Sequence, residues 1–525
     1  MKKLWVSLIA LLSAIALVGC ESDVVSNPFG GSEFDDQPLT IVAATELKDL
    51  EPLVQQASDD LGFPIKLEFP AGTLVNSQSL KAGDFDGQVD ATWFATNRYV
   101  DLIGASGKLA DETKIATSPV AFGVWEDSAK RLGWDSKQPT WREFSDAANR
   151  GDFTFGMTHP TTSNSGFSAL LSVATALADT GSALTSQDID TIEEPMQQLY
   201  QAQAMVSGSS GWLADSFIES PEKVDAIVNY ESTLYQLRDE GQPIKVIVPQ
   251  DGVISADYPL STLAEPATSS APEKVSALAD WLMEHDEEIA QSYRRPLSGT
   301  EALPAELANQ SVIELAFPAD YAVVEKLVNQ YNNDYRNPGS TTFVLDTSGS
   351  MEGERLDSLK AIMTSLVDGT ASTTTGDVAL RDREKVTLWS FGTTPNPPLT
   401  QEFSRESNEV KGSLQSYIDG LNADGTTAVY QTLLDALNAS DTSGGIPSIV
   451  LLSDGIVTAG PNYDGFLAEY NALPQEKKDI PVFVILYGEA SVQEMQGLAD
   501  LTGGEVFDAL NGDLDEAFKE IRGFQ

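Results

Sequence analysis

Short apolar runs alternate with segments of helical periodicity along most of the chain. Residues 39–43, LTIVA, form a β-branched run, and apolar positions recur at helical spacing through residues 47–61. The same patterns predict strands at 64–69, 89–94, 154–158 and 244–248, and helices at 166–178, 273–285 and 323–335. Strands that alternate with helices are typical of α/β domains with a largely parallel sheet.

A second series of strands and helices follows a polar segment. Residues 332–339, NNDYRNPG, contain a Pro-Gly pair that indicates a linker. Strands are then predicted at 341–346, 385–391, 448–454, 481–487 and 504–507, and helices at 355–367, 428–437 and 492–498. We therefore expect one α/β region at 38–335 and a further α/β domain at 338–525.

The N-terminus predicts export. Lys2 and Lys3 precede an apolar run at 4–18, which is shorter than the ~20 residues of a membrane-spanning helix and is typical of a signal peptide. The sequence LVGC at 17–20 resembles the bacterial lipobox, which implies removal of a signal peptide ending at residue 19 and lipidation of Cys20. An ordinary signal peptide with an incidental cysteine is the alternative.

Residues 20–37 are polar and contain Gly, Pro, Ser and acidic side chains, so we expect a lipidated, flexible tether. The mature protein is then expected outside the cytoplasm, on the periplasmic face or the cell surface. Its contact with the bacterial membrane would be through the lipid anchor alone, and the choice between inner and outer membrane stays open.

The net charge and the numbers of cysteines and histidines exclude some classes of partner and of site. The chain has 79 acidic and 32 basic residues, for a formal net charge of −47. This charge repels nucleic acid and anionic lipid head groups and favours cations, although a solvated acidic surface is the simpler account of it. One cysteine excludes an intrachain disulfide, and two histidines exclude a metal or catalytic site built on several histidines.

The strongest chemical signal is the sequence FVLDTSGSM at 343–351. An apolar strand ends in Asp346, and Ser348 and Ser350 follow on a loop that enters a helix. Three oxygen donors at a spacing of two can converge on one point as the loop folds. Hard oxygen donors suit Mg²⁺, Mn²⁺ or Ca²⁺ rather than Zn²⁺.

A second apolar strand ends in another acidic residue, Asp454. In a doubly wound sheet of order 3-2-1-4-5, this strand and the strand ending in Asp346 are neighbours at the switch point, where ligands bind. Between them, the loop DGTTA at 424–428 can present the Thr427 hydroxyl to the same crevice.

Three motifs, DTSGS at 346–350, DGTTAVY at 424–430 and LLSDG at 451–455, together resemble those of a von Willebrand factor A domain. The resemblance implies a doubly wound, Rossmann-like fold and a metal-ion-dependent adhesion site. Its metal-binding residues would be Asp346, Ser348, Ser350, Thr427 and Asp454. The cation is expected to be Mg²⁺, with Mn²⁺ or Ca²⁺ as alternatives, and a Glu or Asp of another protein would complete its shell.

One position departs from the family pattern. The usual Gly-Gly before the threonine is Gly425-Thr426 here, which leaves Thr426 as an alternative to Thr427. For any single motif, a strand-end aspartate and serines acting only as helix caps would be the simpler explanation. No histidine lies in the motifs, so we expect binding rather than catalysis, with metal-assisted hydrolysis as the enzymatic alternative.

Residues 39–335 resemble the periplasmic solute-binding proteins of ABC transporters, in the class that binds oxyanions. The segments that carry this resemblance are IVAATE at 41–46, FPAGT at 69–73, VDATWF at 89–94, GMTHPTTSNSGF at 156–167 and ADYPL at 256–260. The resemblance implies a periplasmic-binding-protein-like domain whose two α/β lobes close on a solute.

A small anion is the expected solute. Residues 158–166 leave a strand, are rich in hydroxyls and open a helix, which suits an anion, although helix caps and turns explain them too. The candidate ligand-binding residues are Thr45, Thr73, Thr162, Ser163, Ser165 and Tyr258. Two functions are therefore expected. The protein binds a partner protein through its metal, as in adhesion, or it serves as the receptor of an ABC transporter with the A domain as an accessory.

Overall fold

The structure is a computed structural model that describes residues 34–297, 303–373, 376–442, 445–455, 457–488, 492–509, 517–518 and 521–522. The expected signal peptide, Cys20 and most of the expected tether lie outside these residues. In the part of the chain that is described, no helix combines the length and apolar character needed to cross a bilayer.

The N-terminal region is built on two sheets. Its described strands are β1 Leu39–Ala43, β2 Ile65–Glu68, β3 Ala91–Trp93, β4 Thr113–Lys114, β5 Ala116–Trp125, β6 Phe155–Thr158, β7 Gln203–Ser207, β8 Ala226–Tyr230, β9 Ile244–Ile247, β10 Ser255–Ala256, β11 Pro259–Thr262 and β12 Arg295–Pro296. Its described helices are α1 Glu51–Leu61, α2 Thr73–Ala82, α3 Arg98–Leu102, α4 Glu126–Leu132, α5 Trp141–Asn149, α6 Asn164–Ala178, α7 Ser186–Thr191, α8 Glu193–Tyr200, α9 Ser210–Glu219, α10 Glu231–Asp239, α11 Ala271–Glu284, α12 Asp286–Gln291, α13 Ala305–Ala308 and α14 Tyr321–Gln330.

The two sheets define two lobes. The first lobe has the strand order β2-β1-β3-β11-β4, and the second has β10-β5-β8-β6-β7, with β9 and β12 also paired to β5. The chain crosses between the lobes from β4 to β5 and returns from β10 to β11. The expected two-lobed α/β fold is confirmed. Both sheets are mixed rather than largely parallel, because β11 runs antiparallel to β3 and β4 in the first sheet and every pairing of β5 is antiparallel in the second.

The C-terminal domain is a six-stranded sheet covered on both faces. Its described strands are β13 Gly339–Asp346, β14 Ser372–Thr373, β15 Gly376–Asp377, β16 Lys385–Phe391, β17 Leu399–Glu402, β18 Ile446–Ser453, β19 Val482–Leu486 and β20 Val506–Asp508. Its described helices are α15 Glu354–Asp368, α16 Asn408–Asp419, α17 Val429–Ala439, α18 Tyr463–Asn471, α19 Gln475–Lys478 and α20 Val492–Thr502.

The main sheet has the order β17-β16-β13-β18-β19-β20. Five of the strands are parallel, and only the edge strand β17 is antiparallel. Phe343 and Leu345 pack into the core on one face, while Val344 packs into the core on the other. A strand segment buried on both faces needs a continuous apolar sequence, which is why residues 343–345 of β13 are all apolar. The doubly wound fold is confirmed, and β13 and β18 are neighbours.

The polar segment expected to be a linker is ordered and short. After α14 the helix continues as one π-helical turn, Tyr331–Tyr335, and β13 begins at Gly339. Asn337 donates from its side-chain amide to the carbonyl of Gln201 in the second lobe, at 2.8 Å. Pro338 accepts from the N–H of Ile446, at 3.0 Å, in the C-terminal domain. The two regions are therefore joined by a short stretch bonded on both sides.

Candidate functional site

Three loops of the C-terminal domain meet at the carboxyl edge of its sheet. Asp346 is the last residue of β13, and Asp454 directly follows the neighbouring parallel strand β18; both are fully buried. The N–H of Gly349 donates to the carbonyl of Gly425 at 3.0 Å, so the first loop lies against the loop that carries Thr427. The geometry brings the two carboxylates and the threonine loop to one crevice.

Asp346 is held by its neighbours on both carboxylate oxygens. Its Oδ1 accepts from the Ser348 N–H at 2.8 Å, and its Oδ2 accepts from the Ser453 hydroxyl at 2.5 Å. Burial raises the pKa of Asp346 to about 6, and the nearby charge of Asp454 adds to this rise despite the hydrogen bonds. Two buried carboxylates that disfavour each other's charge make a place where a cation is stabilised.

The hydroxyl groups of the motif lie beside these carboxylates. The hydroxyls of Ser348 and Ser350 are 3.1 Å apart. Thr427 is 2% exposed, whereas Thr426 is exposed and binds the hydroxyl of Thr393 through both its N–H and its side chain. The structure thus places Thr427, and not Thr426, in the buried crevice.

A positive group that sequence reasoning missed already touches this crevice. Nη1 of Arg355 lies 3.1 Å from Oδ2 of Asp454 and 3.1 Å from the carbonyl oxygen of Ser350. The crevice therefore accommodates positive charge. The described residues contain no cluster of three or more His, Cys, Asp or Glu suited to a metal, so a cation here depends on hydroxyls as well as carboxylates. Such an all-oxygen set fits a hard divalent cation.

In the first lobe, two candidate ligand-binding residues lie beside a carboxylate. The Thr45 hydroxyl is 3.4 Å from Oε2 of Glu46, and the Thr73 N–H, at the start of α2, donates to Oε1 of Glu46 at 3.4 Å. The Thr73 hydroxyl accepts from the N–H of Ala95 at 2.9 Å. Burial raises the pKa of Glu46. The carboxylate of Glu46 therefore lies at the N-terminus of α2, beside two of the residues expected to bind an anion.

In the second lobe, the candidate serines form a hydroxyl network. Ser165 lies 2.9 Å from the hydroxyl of Thr158 and 2.7 Å from that of Ser210, and Ser163 lies 3.2 Å from Ser165. Thr162 is separate, because its hydroxyl donates back to the carbonyl of His159 within its own loop, at 3.2 Å. The structure thus joins Ser163 and Ser165 and leaves Thr162 outside their network.

Tyr258 lies where the chain returns to the first lobe. It has a φ of +41°, unusual for an aromatic residue, and is 1% exposed. Among the described residues, neither its hydroxyl nor Oδ1 of Asn164 has a hydrogen-bond partner. Nδ2 of Asn164 donates to Tyr230 at 2.9 Å, and the charge of Glu46 acts on Tyr230 across the cleft. Asn164, Tyr230 and Glu46 are thus cleft residues that the sequence did not single out.

Comparisons with known proteins agree with this architecture. The family of bacterial extracellular solute-binding proteins matches residues 41–293, and the von Willebrand factor type A domain matches residues 342–520. No curated protein matches the chain. The match to an extracellular family implies that the protein works outside the cytoplasm.

Several solved structures are similar. The periplasmic binding protein AfuA from Actinobacillus pleuropneumoniae is 13% identical, with a TM-score of 0.45 over 56% of this chain and 97% of that chain. The sulfate-binding protein SubI from Mycobacterium tuberculosis H37Rv is 17% identical, with a TM-score of 0.41 over 55% and 96%. A von Willebrand factor type A protein from Catenulispora acidiphila is 19% identical, with a TM-score of 0.28 over 36% and 42%.

The two-lobed fold, the doubly wound domain and the two family matches lead to one description. The chain is a fusion of a bacterial extracellular solute-binding domain with a C-terminal von Willebrand factor type A domain.

Proposed function

We propose that the C-terminal domain binds a divalent cation, Mg²⁺ foremost, and through it a carboxylate of a partner protein. The observation that carries this proposal is the meeting of two buried carboxylates and three hydroxyl-bearing residues at one sheet edge. The chain's charge of −47 favours the approach of cations. The function is binding rather than catalysis.

The hydroxyls of Ser348, Ser350 and Thr427 would hold the ion. Both oxygens of Asp346 already accept hydrogen bonds, so this aspartate is best suited to orienting Ser348 and to balancing charge. A cation held mainly by neutral hydroxyls keeps much of its charge for an external ligand. When bound, the metal would supply the positive centre that an incoming Glu or Asp side chain requires.

Metal binding is tested by titrating the mature chain with Mn²⁺ and following the electron paramagnetic resonance of the free ion. Asp346→Asn should weaken binding by at least tenfold, because it removes one of the two buried carboxylate charges. Arg355→Gln should strengthen binding, because it removes the positive group beside Asp454. Glu352→Gln, an exposed position on the same loop, is the matched control. Unchanged Mn²⁺ affinity in Asp346→Asn would refute the proposal.

Partner binding is tested separately with the mature chain as bait in a cell-envelope extract. A partner held through the metal should be retained in Mg²⁺, released by EDTA and absent from the Asp346→Asn bait. A partner that binds the Asp346→Asn bait equally well in EDTA would contradict carboxylate bridging, even if the domain binds Mn²⁺.

A second candidate function is solute binding in the cleft between the lobes, supported by its buried, unpartnered Tyr258 hydroxyl and Asn164 carbonyl oxygen. Because Glu46 occupies the start of α2, we propose a small solute that carries a protonated amine rather than a free anion. An ABC-transport receptor is the alternative role for this domain. Putrescine and sulfate are suitable probes of the two chemistries.

The variant Glu46→Gln distinguishes a solute with a protonated amine from an anionic solute. It should weaken amine binding, measured by calorimetry, because the carboxylate that faces the amine is lost. If the cleft instead takes anions, as its hydroxyls suggested, the same variant should bind sulfate more tightly, since a negative charge is removed. Absence of any change for either probe would refute a ligand contact by Glu46.

We further propose that Cys20 anchors the mature protein to the membrane through lipid. The only cysteine of the chain follows the apolar run and the small residue Gly19. Replacement of Cys20 by Ser should move the protein from the membrane fraction to the released fraction and abolish labelling by radioactive palmitate. Continued labelling of the variant would contradict this assignment.

A further inference from the structure

Three arginines are buried together where the two domains join. Arg336 follows the π-helical turn of the N-terminal region, whereas Arg381 and Arg522 belong to the C-terminal domain. Their exposed fractions are 2%, 9% and 3%. We call these three residues the junction arginines; they line one small cavity together with Asn332 and Glu384.

Negative charge does not balance the junction arginines. Glu384 is the one fully buried carboxylate among the described residues that line this cavity, and Arg522 donates to it at 2.7 Å. Asp382 also lines the cavity and is partly exposed. Burial, together with the charges of Arg522 and Arg336, lowers the pKa of Arg381 to about 9. In a chain with a charge of −47, this concentration of buried positive charge runs against the overall composition.

The guanidinium of Arg336 has unused donors. Neither Nη1 nor Nη2 has a hydrogen-bond partner among the described residues, and Nε makes only a 3.4 Å contact with the carbonyl of Asn337. The guanidinium lies 5.7 Å from the centroid of the Tyr331 ring. A buried polar group left without a partner is destabilising, and a charged one is more so. A planar fork of two N–H groups matches the oxygens of a carboxylate or phosphate.

A larger cavity of about 160 Å³ adjoins the junction arginines and shares Arg381 and Asn332 with the smaller one. Its walls come from both lobes, from α14 and from the C-terminal domain. They include the apolar side chains Leu74, Tyr99, Phe167, Tyr321, Val324 and Val328. Arg381, Arg405, Glu325 and several amide and hydroxyl side chains supply the polar part of the lining. A cavity with arginines beside rings and aliphatic chains suits a molecule with an acidic head and a carbon body.

We propose that the domain junction binds a small oxyanion, with its acidic group on the junction arginines and any organic body in the adjoining cavity. The ligand would supply the negative charge that the junction lacks and the acceptors that Arg336 lacks. Because the junction arginines come from both domains, the bound anion would also hold the N-terminal region against the C-terminal domain. The junction arginines include none of the cleft candidates and none of the metal-loop residues, although both lobes contribute to the walls of the adjoining cavity.

The test uses the mature full-length chain, with inorganic phosphate and phenyl phosphate as probes and with ionic strength fixed by sodium chloride. Both probes should raise the melting temperature in a saturable way, and phenyl phosphate should bind at least tenfold more tightly because its ring enters the cavity. Equal affinities would restrict the site to the anion alone and overturn the part of the proposal that concerns the organic body.

Arg336→Met should weaken phosphate binding by at least tenfold. It should also raise the melting temperature in phosphate-free buffer, because it removes an incompletely paired buried charge. Arg336→Lys keeps the charge but not the fork and should lie between the two proteins in affinity. Arg150→Met, at an exposed arginine paired with Asp152, is the control that should leave phosphate affinity unchanged.

Two outcomes would overturn the proposal. The first is a wild-type protein whose melting temperature responds to phosphate no more than to chloride at equal ionic strength. The second is a saturable phosphate response of equal affinity in Arg336→Met. The first needs no variant, so it decides the matter even if a substitution prevents folding.

Discussion

The buried carboxylate of Glu384 offers the sharpest test of how the domain junction is stabilised. Its Oε1 accepts from Arg522 at 2.7 Å and from the Thr341 hydroxyl at 2.7 Å, and its Oε2 accepts from the N–H of Arg381 at 3.0 Å. Glu384→Gln keeps the shape of the side chain but removes its charge. Arg522, Arg381 and Arg336 would then remain buried without the carboxylate that faces them.

The expected cost follows from that geometry. Removing one partner of a buried ion pair destabilises a protein by about 3–5 kcal/mol, and the retained amide places Glu384→Gln near the lower end. Amide hydrogen exchange in β13 and β16 reports on the C-terminal domain separately from the lobes. A loss of about 3 kcal/mol should speed the exchange of their most protected amides by roughly 100-fold, since 1.4 kcal/mol corresponds to tenfold. Glu406→Gln, at an exposed loop position, is the control.

The effect should depend on pH in a defined direction. Burial alone would raise the pKa of Glu384, but the charge and hydrogen bond of Arg522 outweigh it and leave the pKa below its ordinary value of 4.5. A carboxyl with a lowered pKa stabilises the fold above its unfolded-state pKa, and this contribution is lost as the pH falls through the folded-state value. The difference between wild type and variant should therefore be full at pH 7 and narrow below about pH 4.5. A difference under about 1 kcal/mol at pH 7, or one that widens in acid, would refute the reasoning.

Three further substitutions test tightly packed or buried contacts, one in each lobe of the N-terminal region and one in the C-terminal domain. Gly166→Ala should make the second lobe sensitive to limited proteolysis, because a Cβ would lie 2.1 Å from the carbonyl oxygen of Thr158; retained resistance would contradict this packing. Gly425→Ala should weaken Mn²⁺ binding about tenfold, because φ is +80° and a Cβ would lie 2.5 Å from the Thr393 hydroxyl, and strain of about 1–2 kcal/mol is expected. Lys274→Ala removes a fully buried ammonium that binds the segment before β1, so proteolysis there should accelerate; an unchanged cleavage rate would count against that contact.

The metal loops were predictable because the sequence marks them locally. The run ending in Asp346 is apolar at every position that enters the two cores, and a parallel strand buried on both faces requires that. The adjacency of Asp346 and Asp454 followed from the topology of a doubly wound sheet. Ser453 was not predicted because a serine before a strand-end aspartate has no distinctive pattern. It follows Leu452, which pairs with Leu345, and so it lies beside Asp346 on the neighbouring strand.

Other features have no local signal. The edge strand β17, LTQE, lacks an apolar pattern, because its side chains are only partly covered or exposed. Strand β5 was not predicted, since its sequence contains Pro119 and Gly123 and resembles an interrupted run. The junction arginines are far apart in the sequence and come together only through the fold. Glu46 was visible beside Thr45, yet only the structure shows its carboxylate at the start of α2.

The short, doubly bonded passage from the π-helical turn into β13 has a mechanical consequence. Only residues 336–338 separate this turn from β13, and hydrogen bonds hold them on both sides, so little free rotation is available between the second lobe and the C-terminal sheet. If the proposed solute closes the two lobes, the loops at the carboxyl edge of the C-terminal sheet would move with the second lobe relative to the first. Solute binding in the cleft would then change the position of the sheet edge that is proposed to bind a partner.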